Sequence, residues 1–325
     1  MDAILSVMAQ NLVSPIILSF ALGLLAAVAR SSLSVPEAAA KALSIYLLFA
    51  IGFKGGASVA AHGLDWTLGF ALIAGLALSL VIPVIAFALL RGLTRLSAVD
   101  AAAVAGHYGS ISIVTFVSAT AILTSRAIGH EGYMVAVAAA MEAPAIVAAL
   151  WLAARSGTGV KMDWELWREV LLNGSIVLLV GAFVIGAITG ERGLAEIESF
   201  IVSPFKGVLC LFLLDMGLVA GRGLKQARGV LSGGAVVFAV LMPLVGAALA
   251  LPVGMVLGLS AGGVALFMTL AASASYIAVP AAMRVALPEA NPSIYLTLSL
   301  GVTFPFNLAL GIPLYVTVAE RLSGG

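Results

Sequence analysis

Ten apolar runs, each close to the length that crosses a bilayer, follow one another along this chain. They lie near 13–30, 36–54, 66–90, 98–124, 129–155, 170–189, 197–221, 229–258, 260–285 and 291–319. A hydrocarbon core of about 30 Å takes roughly 20 apolar residues in a helix. Inside it every backbone N–H and C=O must find an internal partner. The expected fold class is therefore an all-α polytopic membrane protein with ten transmembrane helices.

The charge content agrees. Only 10% of the 325 residues are Asp, Glu, Lys or Arg, against about 25% in a soluble domain, too few to cover a surface in water. The 35 glycines suit helices that approach closely in lipid. With a net charge of +1 and no basic run, nucleic acid is not an expected partner. Cys210 is the only cysteine, which excludes internal disulfides and thiolate metal clusters. Residues 1–11 lack the basic region and cleavage site of a signal peptide, so the first run is expected to be retained as a span.

The most polar interruption, RSGTGVKMDWELWRE at 155–169, divides the runs five and five. The expected organisation is a first five-helix repeat over 1–155, a connecting loop over 156–169 and a second repeat over 170–325. The halves echo each other. LLFAIGFKGG (47–56) matches FLLDMGLVAG (212–221), VIPVIAFAL (81–89) matches LMPLVGAAL (241–249), and GSISIV (109–114) matches ASASYIAVP (272–280). Each motif returns five spans later. Five is odd, so the second copy enters from the opposite side, giving the inverted repeat common among secondary transporters. Ten basic residues fall on one set of alternate loops and four (Lys54, Arg126, Arg192 and Arg321) on the other. The positive-inside rule makes the ten-residue side cytoplasmic and places both termini outside; a bacterial inner membrane is the expected location.

Spans four and nine carry the least lipid-compatible sequence. Gly106-His107-Tyr108-Gly109-Ser110-Ile111-Ser112 and Ser273-Ala274-Ser275-Tyr276 with Pro280 combine residues that weaken or interrupt a helix. Broken helices there would bring two half-helix N-termini together near the midplane, a setting for a small anion. The candidate substrate-binding residues are Gly109, Ser110, Ile111, Ser112, Ser273, Ala274, Ser275 and Tyr276. The alternative is that these small residues only permit close packing. Glu142, within AAMEAPAIV, is a costly intramembrane carboxylate; with Ser112, Ser273 and Asn307 it forms the candidate sodium set. Lys54 and Asp215 sit near matching ends of spans two and seven and are expected to pair structurally. Glu37 and Lys41 have the spacing of a local helix pair. No P-loop, HExxH or GxSxG occurs, and His62, His107 and His130 lack metal-ligand spacing. The chain is read as a non-enzyme driven by an ion gradient.

At these motifs the sequence resembles the sodium-dependent bicarbonate transporter superfamily over about residues 15–318. The resemblance rests on Val35-Pro36-Glu37-Ala38, IGFKGG, Val99-Asp100-Ala101 leading to Gly106 and Gly109, and Met141-Glu142 with Pro144-Ala145. It continues through Phe205-Lys206-Gly207, Met216-Gly217, Asn291-Pro292-Ser293 with Tyr295, and Ile312-Pro313-Leu314. It implies import of bicarbonate with sodium, crossed broken helices in a core domain, and a scaffold built mainly from spans one, two, six and seven. A homotrimer, an elevator-like movement and a PII-like cytoplasmic regulator are also implied; no cofactor is called for beyond sodium as coupling ion. Two features differ from cyanobacterial relatives: a shorter central loop, and Ser275-Tyr276 with Val279-Pro280 where relatives carry an aspartate and then Gly-Pro. A symporter of a small organic carboxylate and a passive anion channel remain compatible alternatives.

Overall fold

The computed structural model describes residues 13–63, 66–156, 174–226, 232–276 and 278–323, together with Trp164, Arg168 and Leu172. Most of the expected central loop and both extreme termini lie outside the described residues. Among the described residues the protein is all helical, without strands. The helices are α1 (Pro15–Val28), α2 (Glu37–His62), α3 (Trp66–Leu93), α4 (Ala98–Gly109), α5 (Ile113–Ser125), α6 (Met134–Ala140) and α7 (Glu142–Arg155). They continue as α8 (Gly174–Ile201), α9 (Phe205–Gln226), α10 (Gly233–Val256), α11 (Ala261–Ala272) and α12 (Ala278–Ala286). A C-terminal helix then runs from Pro292 to Ser323, with π-helical turns at Thr297–Thr303 and Asn307–Gly311.

Among the described residues, eight segments are long and apolar enough to cross a membrane. Ten apolar runs were expected. The first holds a helix of only 14 residues, Pro15–Val28. The ninth is divided between α11 and α12, with non-helical backbone at 273–276. Span seven also begins later than its hydrophobicity suggests. α8 continues to Ile201 past a kink at Gly190 (φ 60°), a left-handed conformation that glycine adopts freely. The segment beyond the kink carries Glu191, Arg192, Glu196 and Glu198.

Two helix pairs pack backbone against backbone. A Cβ at Gly52 or Gly56 in α2 would fall 2.6 Å and 1.9 Å from the Leu179 and Phe183 carbonyl oxygens of α8. A Cβ at Gly217 in α9 would fall 2.1 Å from the Phe20 carbonyl of α1, and one at Gly221 would meet Ala27. Both glycine pairs are spaced four apart, the pattern that lets helices approach without intervening side chains. Leu18, Leu22, Phe70, Ile73, Val177 and Val184 are left exposed, an outer face suited to lipid rather than water.

Candidate functional site

Span four does not continue as one helix through GSIS. α4 ends at Gly109, Ser110 is extended (φ −86°, ψ 152°), and α5 starts after the N-cap Ser112. Local sequence explains the stop. A Cβ at Gly109 would lie 2.2 Å from Pro83 Cγ, so only glycine lets α4 seat on the α3 proline. Ser112 then turns its hydroxyl onto the Thr115 N–H at 3.3 Å, the usual way a serine opens a helix. In span nine, α11 ends at Ala272 and Ser273 is extended (φ −84°, ψ 164°).

The two links face each other and are tied. The Ser112 N–H donates to Ser273 Oγ at 2.8 Å, and Ser273 Oγ donates to the Leu270 carbonyl at 2.8 Å. The Ser275 N–H donates to the His107 carbonyl at 2.7 Å. Gly109, Ser110, Ile111, Ser112, Ser273, Ala274, Ser275 and Tyr276 are all buried. These eight candidates therefore form one assembly, with Gly109 serving the contact to Pro83.

Among the described residues, three buried side-chain polar atoms have no hydrogen-bond partner: His107 Nε2, Ser110 Oγ and Tyr276 Oη. All three belong to these segments. The Tyr276 hydroxyl is oriented toward Ser112 without closing a hydrogen bond of normal geometry, and its ring meets Phe304 edge-on. His107 Nδ1 lies 2.7 Å from the Ala103 carbonyl. A carbonyl can only accept, so Nδ1 carries the proton, and in a neutral ring Nε2 is left as an acceptor. The ring stacks on Tyr295 with centroids 4.4 Å apart.

The sodium candidates are distributed unevenly around this assembly. Glu142 is 5% exposed and opens α7; it makes no ion pair among the described residues. α7 lies against α4, since Cβ atoms at Gly106 and Gly109 would meet Ala149 and Ala145. Glu142 lies three residues before Ala145, about 4.5 Å further along the axis, which brings its turn level with the 110–112 link. Asn307 is engaged elsewhere: its amide donates to the Ala272 carbonyl at 2.8 Å and its oxygen accepts from the Tyr315 hydroxyl at 3.0 Å. It thus ties the C-terminal helix to the end of α11. Lys54 and Asp215 do not pair. The Lys54 ammonium sits 3.9 Å from the centroid of the Phe205 ring, and the charge that acts on Asp215 is Arg222. Nor do Glu37 and Lys41 form an ion pair; both are exposed.

Sequence reading missed a set of buried ties. Thr303 Oγ1 donates to the Ala239 carbonyl at 2.6 Å, so the 2.6 Å contact between Tyr108 and Thr303 must use the tyrosine proton. Ser79 Oγ donates to the Met141 carbonyl at 2.6 Å, where spans three and five meet. A serine or threonine in an apolar run gives little sign of which distant carbonyl it reaches. No curated protein matches the chain. One family model, described as the Na+-dependent bicarbonate transporter superfamily, matches residues 15–320.

Proposed function

The chain belongs to the Na+-dependent bicarbonate transporter superfamily, and from that premise we propose that it is a sodium symporter importing bicarbonate through the assembly of residues 107–112 and 273–276. The observation carrying this reading is the trio of partnerless buried atoms, because an orphaned buried polar group is costly unless a ligand or water completes it. Ser110 Oγ and Tyr276 Oη can donate to anionic oxygens. His107 Nε2, as an acceptor, calls for a donor on the ligand. Bicarbonate has an O–H; an ionised carboxylate has none, which favours bicarbonate over the organic anion. Sodium would neutralise the added charge, with Glu142 and the Ser112 and Ser273 oxygens as its candidate ligands.

The element pairing supports an inverted five-plus-five repeat of ten spans. α1 packs on α9 as α8 packs on α2, and the matched glycine pairs Gly52/Gly56 and Gly217/Gly221 occupy these contacts. Likewise α3 packs on α4 as α10 packs on α11. Exchanging spans one with six, two with seven, three with eight and four with nine maps these pairs onto one another. The glycine-seated α1, α2, α8 and α9 make a scaffold against which the remaining spans would move as an elevator core, in a homotrimer of the inner membrane. The proposed repeats are 1–155 and 170–325, and the ten-residue basic side is proposed as cytoplasmic on the charge asymmetry.

The test is uptake of radiolabelled bicarbonate by proteoliposomes at constant, mildly alkaline pH. Accumulation above the external concentration that requires an inward sodium gradient is expected. Downhill flux alone would indicate a channel, and competition by a tenfold excess of a small organic carboxylate would indicate the organic-anion symporter.

A further inference from the structure

A cavity of about 450 Å³ lies between α2, α5, the residues joining α5 to α6 and the start of α9. Its polar wall includes Lys54, Thr120, Thr124, His130, Ser203 and Lys206, and among the described residues no acidic one lines it. Lys54 is bound over the Phe205 ring and has no carboxylate in ion-pair distance among the described residues. Glu131, which directly follows the lining residue His130, is turned to Ser260, whose N–H and hydroxyl donate to its carboxylate at 2.6 and 3.0 Å. A lysine held by an aromatic ring, without a carboxylate beside it, presents its charge to an anion rather than to an internal partner.

The cavity is connected to the candidate site by one helix. Phe116, Thr120 and Thr124 line it at four-residue intervals along α5, and α5 begins at the Ser112 N-cap. A related cavity of about 350 Å³ is lined by Val219, Ala220, Arg222 and Gly223 of α9 and by Pro292, Thr297 and Gly301 among others of the C-terminal helix. The echo of 47–56 in 212–221 equates Lys54 with Val219 and Gly55 with Ala220. The inverted repeat would place the two cavities at opposite faces of the membrane. The second has a cation too, but Arg222 donates to the Leu33 carbonyl at 3.2 Å and acts on Asp215, whereas Lys54 has no such acid among the described residues.

From this geometry we infer that the Lys54 cavity is an external vestibule that captures small oxyanions ahead of the transport site. The inference rests on the transporter reading above and on the orientation that puts Lys54 outside. Lys54 supplies the charge and Lys206 at the rim adds to it. The Thr120 and Thr124 hydroxyls donate within α5, to the Val117 and Thr120 carbonyls at 2.8 Å, and only line the way toward Ser112.

The experiment reads the potential of the vestibule directly in the full-length chain. Thr124, an exposed wall residue, is replaced by cysteine in a Cys210→Ser background. The protein is reconstituted in liposomes and treated from outside with anionic or cationic methanethiosulfonate reagents. Their rate ratio is compared with and without Lys54→Met, which keeps the stem over Phe205 and removes the charge. The anionic reagent should react faster, and its advantage should fall about threefold or more in Lys54→Met, the scale of one nearby unit charge. Lys206→Gln, at an exposed position and so independent of folding, should lower it by a smaller factor. Lys54→Arg should restore it. Bicarbonate uptake, followed in parallel, should show a raised KM with little change in kcat for Lys54→Met. A ratio unmoved by both lysine substitutions overturns the vestibule even where wild-type uptake is normal. A ratio that moves as stated, in a protein that does not take up bicarbonate, upholds the vestibule and removes bicarbonate as its anion.

Discussion

Replacing Ser273 with alanine removes the oxygen that receives the Ser112 N–H at 2.8 Å. The Leu270 carbonyl is not left bare, because the Ser273 N–H also donates to it at 3.2 Å. Ser112 is 3% exposed, so its N–H has no ready access to water. Stranding such a donor costs about 1–3 kcal/mol. Ser110→Ala is the contrasting change: Ser110 Oγ is buried without a partner, so its removal breaks no internal hydrogen bond. It relieves the cost of an unpaired hydroxyl and is expected to leave stability unchanged or slightly higher. If Ser110 donates to a bound anion, the same substitution deletes a charge-assisted bond of about 1.5 kcal/mol, roughly tenfold in KM.

The two alanine variants should therefore separate on two axes. Thermal unfolding in detergent should show a clear loss for Ser273→Ala and none for Ser110→Ala. Sodium-driven uptake should show the raised KM for Ser110→Ala, at unchanged amounts of folded protein. Equal destabilisation by both would refute the assignment of Ser273 as the tie and Ser110 as the free group. An unchanged KM in a stable Ser110→Ala protein would remove Ser110 from the substrate site.

Gly56→Ala drives a methyl group to 1.9 Å from the Phe183 carbonyl oxygen and should cost about 1–3 kcal/mol; Gly69→Ala, with nothing within 4 Å of the new Cβ, should not, and thermal unfolding compares them. Glu142→Gln should weaken the sodium dependence of uptake severalfold while substrate affinity at saturating sodium holds; normal sodium dependence in a folded protein would exclude Glu142 from the ion site. Tyr276→Phe removes a partnerless hydroxyl, so stability should hold while KM rises about fivefold, the equivalent of ~1 kcal/mol. Tyr276→Asp adds a buried negative charge and should steepen the dependence of uptake on sodium concentration; an unaltered dependence would end the idea that this position tunes coupling.

The parts of this molecule legible in the sequence are those fixed by local chemistry. Apolar length locates most of the helices, and Gly109-Ser110-Ile111-Ser112 and Ser273-Ala274-Ser275 announce where helical backbone is interrupted. What stayed hidden depends on partners far away along the chain. Lys54 was matched to Asp215 by position in the repeat, whereas its neighbour in space is the Phe205 ring. Asn307 belongs to the candidate sodium set by residue type, yet both ends of its amide are engaged by Ala272 and Tyr315. The length of α8 was misread because hydrophobicity falls after Gly190 while helical backbone resumes to Ile201. Composition records the change of solvent there, not the end of hydrogen bonding.

The pairing of backbone groups also redistributes the work expected of the site. From the sequence, an anion should be held chiefly by free N–H groups at two helix starts. In the structure the Ser110, Ser112 and Ser275 N–H groups already donate to Gly106 O, Ser273 Oγ and His107 O. Among buried side-chain atoms of the described residues, those left over are at 107, 110 and 276, beside the backbone N–H groups of the links that these ties do not use and the first turn of α5. Backbone ties of this kind hold the two links in register whether or not a ligand is present, so binding need not order them. Mutational effects should divide accordingly. Changes at Ser112 and Ser273 should act first on folding, and changes at His107, Ser110 and Tyr276 first on the ligand. A ligand that reached all three orphaned atoms would need an O–H for His107 Nε2 and oxygens for the Ser110 and Tyr276 hydroxyls. Bicarbonate has that donor and acceptor pattern; nitrate, a planar oxyanion of similar size without a proton, lacks the donor. Nitrate should therefore compete poorly for uptake in the wild type, and its disadvantage should shrink when His107 is replaced by a residue that can donate, such as glutamine.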